Sequence, residues 1–242
     1  MSSVRRSLFA SALVIGAVPA FAAPINLVTN GDFTQASFTK NSEFGASFGG
    51  QGVTGWKSDS AAAYNLYWVA GTQATVEATS RWSELGQKLA TSVTASPAGG
   101  NFISMDGDGS VRGPVTQSIA GLTAGNRYDL SFFWGATQLQ NRSGPTTEQL
   151  QVGLGGDIVL TGIKSVESQG FSGWIKETFT FAATSGSELL SFLSLGTPTG
   201  LPPMAVLDGV SLTASVPEPA SLAVLGAGLL GVRYARRRLT LG

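Results

Sequence analysis

The sequence predicts an all-β protein, a two-sheet β-sandwich. Its 242 residues include 32 glycines, with many Ser and Thr, a composition of short strands and tight turns. Between Pro24 and Ser215 no long segment repeats its apolar residues with a helical period. Two segments alternate residue by residue instead. In "RYDLSFFWGATQ", Tyr128, Leu130, Phe132 and Trp134 share one face, and Asp129, Ser131 and Phe133 the other. In "WIKETFTFAA", Ile175, Phe179 and Phe181 stand opposite Lys176, Thr178 and Thr180. Each reads as a strand with one wet side.

Further strand candidates are "INLVT", "AYNLYWVAG", "TVEAT", "NFISMDG", "VTQSIAGL", "EQLQVGLGG", "SELLSFLSLG" and "MAVLDGVSLTAS". Clusters of Gly, Asn, Asp and Ser separate them, and in "GLTAGNRYDL" the run "TAGN" supplies turn residues between an apolar strand end and a new alternating strand. About ten strands on about 190 residues suit one sandwich, able to bury about 70% of the surface the unfolded chain exposes. The expected organisation is a signal peptide at 1–22, a sandwich domain at 24–214 and a tail at 215–242.

Charge and residue types remove several function classes. Residues 24–215 hold nine Lys/Arg and fourteen Asp/Glu, an acidic body without a basic stripe, which argues against nucleic acid as a partner. There are no cysteines and no histidines, so disulfides, thiolate nucleophiles, the usual zinc sites and imidazole-based triads are excluded. Only carboxylates remain for acid and base work. Asp106, Asp108, Glu148, Asp157, Glu167 and Glu177 are the candidates, and no spacing among them selects a pair for glycoside hydrolysis. The run "SMDGDGSVRG" is the sharpest acidic cluster, but Val111 and Gln117 stand where a helix-flanked calcium loop needs Gly and Glu.

The amino terminus carries a basic start at Arg5 and Arg6, an apolar run from Leu8 to about Val18, and Ala20-Phe21-Ala22. That order is a signal peptide, with signal peptidase expected to cut after Ala22.

Three phrases of the body, "NLVTNGDF", "VTQSIAGLTAGNRYDLSFFWGA" and "AVLDGVSL", resemble the galactose-binding-like jelly roll shared by many carbohydrate-binding modules. The resemblance implies a jelly-roll sandwich, a polysaccharide ligand and a structural calcium where the first strand meets the last. Asp208 matches the closing position of that site. Thr34 stands where a Glu commonly follows "NGDF", leaving Asp32 and backbone carbonyls as the early ligands. Sugars stack their C–H faces on exposed rings, so the aromatics are the ligand candidates. Tyr64 and Trp68 share a face of "AYNLYWVAG" with Tyr67 on the other, and Trp56 lies in the Gly-flanked "VTGWKSD".

The tail begins with Val216, Pro217, Glu218, Pro219, Ala220 and Ser221. An apolar run from Ala220 to Val232 follows, 13 residues. As a helix it reaches about 20 Å, short of a hydrocarbon core of about 30 Å. Arg233, Arg236, Arg237 and Arg238 close it and are expected to stay cytoplasmic. Motif, short helix and arginines together closely resemble the PEP-CTERM sorting tail of Gram-negative bacteria. In that family the tail is read by a membrane protease-transpeptidase called exosortase, and the proteins are associated with exopolysaccharide and biofilm matrix. The expectation is a non-enzymatic glycan-binding sandwich, held briefly at the inner membrane by its tail and delivered to the cell surface or extracellular matrix. A structural matrix protein that self-associates through sheet edges is the alternative, and a two-carboxylate glycoside hydrolase a third reading.

Overall fold

A computed structural model of the chain describes residues 24–37, 39, 41–44, 52–58, 64–70, 89–90, 92–140 and 142–215. Those residues form twelve strands and no helix. In chain order they are β1 (Ser42–Glu43), β2 (Lys57–Ser58), β3 (Asn65–Trp68), β4 (Phe102–Asp106), β5 (Val115–Ala120) and β6 (Arg127–Gln138), then β7 (Thr146–Leu154), β8 (Asp157–Leu160), β9 (Lys164–Val166), β10 (Ile175–Ala182), β11 (Ser187–Thr197) and β12 (Pro203–Ala214). The signal helix, "TVEAT", the sorting motif and the tail arginines lie outside the described residues.

The strands make two antiparallel sheets. Sheet 1 runs β1-β3-β4-β12-β6-β10, and sheet 2 runs β2-β5-β11-β7-β8 with β9 also on β7. Alternation in β6 does what its sequence requires. Tyr128, Leu130, Phe132 and Trp134 turn into the space between the sheets and meet Leu150, Val152, Leu190 and Phe192 from sheet 2. The Phe132 ring packs edge-on to Phe192 at 5.2 Å and tilted to Phe179 at 6.0 Å. Each such side chain contributes about 1.5–3 kcal/mol by leaving water.

Sheet 1 also buries much of its outer face. Leu66 and Trp68 of β3, Phe102 of β4, and Met204 and Val206 of β12 point away from the main core and form a second cluster with Leu89, Val93 and Leu139. Phe171 and Trp174, in the segment entering β10, pack on its rim.

One expected strand is absent. "INLVT" runs beside the end of β12 with a single backbone bond, Leu27 N–H to the Leu212 carbonyl. The Asn26 side-chain oxygen accepts the N–H groups of both Val28 and Leu212, so an amide stands in for the rest of a ladder. Four strands were not anticipated: β1 and β2, two residues each, and the β8 and β9 edge.

Candidate functional site

The site grows from a bulge in the closing strand. On β12, Asp208 pairs with Phe133 and Ser211 with Ser131, so one extra residue is inserted between them. Gly209 occupies the bulge at φ 61, the left-handed conformation this kind of bulge requires. A side chain there would also strike Ala98 at 2.8 Å and the Phe133 ring at 3.0 Å. The "NGDF" turn closes against the same bulge. Val210 N–H donates to the Gly31 carbonyl, and a Cβ on Gly31 would lie 1.9 Å from the Val210 oxygen, so only glycine fits.

Between turn and bulge lies a polar pocket of about 440 Å³, lined among others by Asp32, Thr34, Gln35, Gly209 and Ser211. Asn30, also in its wall, is spent on structure: its amide nitrogen donates to the carbonyls of Gln35 and Thr54, and its oxygen accepts Gln35 N–H. Asp32 is exposed, and its Oδ1 accepts the N–H and hydroxyl of Thr34. Asp208, next to the bulge glycine, is wholly buried and does not line the pocket. Its Oδ1 accepts Gly209 N–H at 2.6 Å, while its Oδ2 has no hydrogen-bond partner. Burial pushes its carboxyl up to about 7, the Ser96 side chain and Gly209 N–H oppose that, and the charge of Asp32 adds to it. The two residues named for a metal are thus brought within electrostatic reach of each other, one exposed and one buried.

On its other side the bulge adjoins a row of rings on the outer face of sheet 1. Phe133 is half-buried there, with Lys176 Nζ 5.9 Å from its ring centroid. Gly135, next on that face of β6, has no side chain, and a Cβ would lie 2.6 Å from the Phe171 ring. Phe171 in turn meets Trp174 edge-on at 5.9 Å, and both rings are half-buried. The Trp174 indole N–H donates to the Thr94 carbonyl, and its ring also meets Phe102 edge-on at 5.5 Å, which fixes the half-buried ring in place. Hydroxyls of Ser131, Thr178 and Ser211 flank the row.

Three of the four rings named as ligand candidates are placed elsewhere. Trp56 is buried: its indole N–H reaches the Asn30 carbonyl, and its ring packs on Phe33 at 5.2 Å and Phe192 at 6.2 Å. Tyr67 is buried in the main core, and Trp68 is buried in the outer cluster with its N–H on Ser104 Oγ. Their apolar area is satisfied by packing, so none offers a face to a ligand. Tyr64 is half-buried.

Three of the acidic candidates, Asp106, Asp108 and Glu148, come together in the interior, away from the pocket. Asp106 and Glu148 are closed off from solvent. Burial raises Asp106 to about 7, against an opposing backbone bond from Asp108 and with help from the Asp108 charge. Burial raises Glu148 to about 8, Thr146 and the Met204 N–H pulling the other way and the Asp106 charge adding to the rise, and neither Glu148 oxygen completes a hydrogen bond. Asp108 is also buried, yet the Ser110 and Gly200 N–H groups and the Ser110 hydroxyl outweigh that burial and hold it below the usual carboxylate range. None of the three lines the pocket.

Comparison with known proteins adds the tail. Residues 215–238 are a PEP-CTERM protein-sorting motif. It marks an exported, cell-surface-directed protein and implies processing by an exosortase. Halomucin of Haloquadratum walsbyi is 30% identical over 141 residues, 54% of this chain. The chain spans 1% of that relative's length. Among solved structures, an arabinose-bound MgGH51 α-L-arabinofuranosidase aligns with TM-score 0.45 and 15% identity, over 78% of this chain and 26% of that one. TmCBM61 in complex with β-1,4-galactotriose aligns at 0.41 and 14%, over 79% and 99%. The CBM22-1 xylan-binding domain of Paenibacillus barcinonensis Xyn10C aligns at 0.40 and 14%, over 81% and 97%.

Proposed function

We propose that the chain is an exported binding protein that an exosortase-type protease sorts to the cell surface or extracellular matrix, where its sandwich binds exopolysaccharide without catalysis. The observation that carries this reading is the row of half-buried rings Phe133, Phe171 and Trp174, flanked by hydroxyls and opening beside a polar pocket. A pyranose needs both parts: rings for its C–H faces, amides and hydroxyls for its own hydroxyl groups. The enclosure of Asp106 and Glu148 supports the non-catalytic part, because a general acid must reach its substrate. Affinity electrophoresis and a broad glycan screen with the purified protein test it. Binding to at least one polysaccharide is expected, weakened about tenfold or more by Trp174→Ala and by Phe133→Ala. A folded protein that binds none overturns the reading.

Calcium belongs to the same proposal. The orphaned Asp208 Oδ2 beside a second carboxylate is a set of hard oxygens that fits that ion. Among the described residues no group of three acidic side chains converges, so carbonyl oxygens complete the shell. The ion would neutralise the buried carboxylate and tie the "NGDF" turn to the bulge. Calcium is expected to raise the melting temperature, by about 2.7 kcal/mol of stability at a hundredfold excess over Kd. The gain should vanish in Asp208→Asn, and a wild-type melt indifferent to calcium and to chelator removes the assignment.

A further inference from the structure

Among the described residues each sheet has two edges, and three of the four are guarded. β1 and β2 are two residues long, too short to template another strand, and β10 carries Lys176 and Glu177. The fourth edge is different. β8 enters from β7 through a Gly155-Gly156 turn, with Leu154 paired to Asp157. The chain then continues along β7 as β9, its register advanced by one residue, so a bulge falls near Gly162. From Ile158 to Ile163 it holds no charge and no proline. Among the described residues five large apolar side chains are exposed, and three belong to this edge: Ile158 at 60%, Leu160 at 52% and Ile163 at 65%.

The backbone decides what such an edge accepts. Thr161 N–H donates to the Leu150 carbonyl, so Thr161 faces β7 in the ladder. Antiparallel bonding alternates, which turns Val159 and Asp157 toward β7 as well and the N–H and C=O of Ile158 and Leu160 outward. Water satisfies these groups singly, but another extended strand matches donors and acceptors in that order all at once. A second copy of β8 matches it about a two-fold axis through Val159. Ile158 then lies opposite the other copy's Leu160, exchanging both backbone bonds, with the two apolar side chains on the same outer face. Asp157 falls opposite Thr161, so no like charges meet.

We propose that β8 is a self-association edge, through which two copies of this chain join sheet 2 to sheet 2 in antiparallel register centred on Val159. The arrangement is isologous and closes at two copies, and it does not depend on whether the ring face binds glycan. Sequence composition helps the test, since the chain has no cysteine. Opposed residues at a non-bonded antiparallel position sit about 4.5 Å apart at Cα, within disulfide range. Under mild oxidation of the full chain, Val159→Cys is expected to give a disulfide-linked pair at least about tenfold faster than Thr178→Cys on β10, and Leu160→Lys in the same chain should remove that advantage. As a second readout, Ile158→Cys and Leu160→Cys chains are expected to link to each other faster than either links to itself. Equal linking at positions 159 and 178 with both thiols reactive, linking untouched by Leu160→Lys, or no preference in the mixed pair overturns the proposal. Loss of polysaccharide binding in Leu160→Lys without linking at position 159 also overturns it and reassigns the edge to glycan.

Discussion

Sheet 1 and sheet 2 are both built of antiparallel strands, yet among the described residues sheet 1 is packed on both faces over β3, β4 and β12, and sheet 2 on one. The cause lies in which residues occupy the outward positions. On β3, β4 and β12 they are Leu66, Trp68, Phe102, Met204 and Val206, large enough to need a cover, and Leu89, Val93, Leu139, Phe171 and Trp174 supply it. On sheet 2 Ser, Thr and Gln are interspersed with Leu189, Leu193 and Leu195 on β11 and Ile158 and Leu160 on β8, and no second cluster lies above them among the described residues. Sheet 1 therefore carries a covered outer cluster with half-buried rings beside it, whereas sheet 2, among the described residues, carries an uncovered outer face and an open edge. Recognition by shape suits the first, and recognition by backbone pairing suits the second.

The comparison fails most visibly if the outer cluster is only a loose cover. Trp68→Ala, although it lies outside the main core, is expected to cost about 3–5 kcal/mol, as a buried aromatic inside a core does. Urea unfolding measures it, and a loss under about 1 kcal/mol would show that sheet 1 is functionally one-sided like sheet 2. Next in size is the effect of pH on the buried acids. Asp106 and Glu148 hold their protons more tightly when folded, up to about 7 and about 8, than an unfolded carboxyl does at about 4. Their contribution is therefore fully present below about pH 4 and is lost as pH rises through the folded values. Stability should fall between pH 5 and pH 8 by on the order of 3 kcal/mol for each of the two groups, and Glu148→Gln should flatten the fall. Melting curves that are level across that range would show that these carboxyls ionise without penalty. The smallest effect belongs to the bare face: Leu189→Ser should stay within about 0.5 kcal/mol of wild type, and a larger loss would reveal a cover on sheet 2.

Legibility in the sequence follows the same division. Long alternating strands declared themselves: β6 and β10 carry a period of two over 12 and 8 residues, enough to place both faces, while β11 and β12 showed themselves as apolar runs between turn residues. β8 did not, because "DIVL" is too short to show a period and its identity comes from pairing with β7 across a two-glycine turn. Trp56 read as a loop ring because glycine precedes it, but its direction is set by the Asn30 carbonyl, 26 residues away in the chain. No local pattern carries that information. Phe133 was legible in part, since it stood out as an aromatic on the polar side of β6, a signal that marks a ring held at the surface. Trp174 needed Thr94 and Phe171, which only the folded chain brings together.

The position of β12 has a mechanical consequence. It is an inner strand of sheet 1, laddered to β4 on one side and along most of its length to β6 on the other, and its last residues lead directly into the sorting motif. Near its end Leu212 is also gripped by Leu27 and Asn26 from the opposite terminus of the domain. Tension drawn through the tail thus enters a strand that has neighbours on both flanks and cannot be peeled from a margin one bond at a time. A load applied at that end is shared between the β6 ladder and the bonds from Leu27, Asn26 and Gly31, so several hydrogen bonds carry it at once.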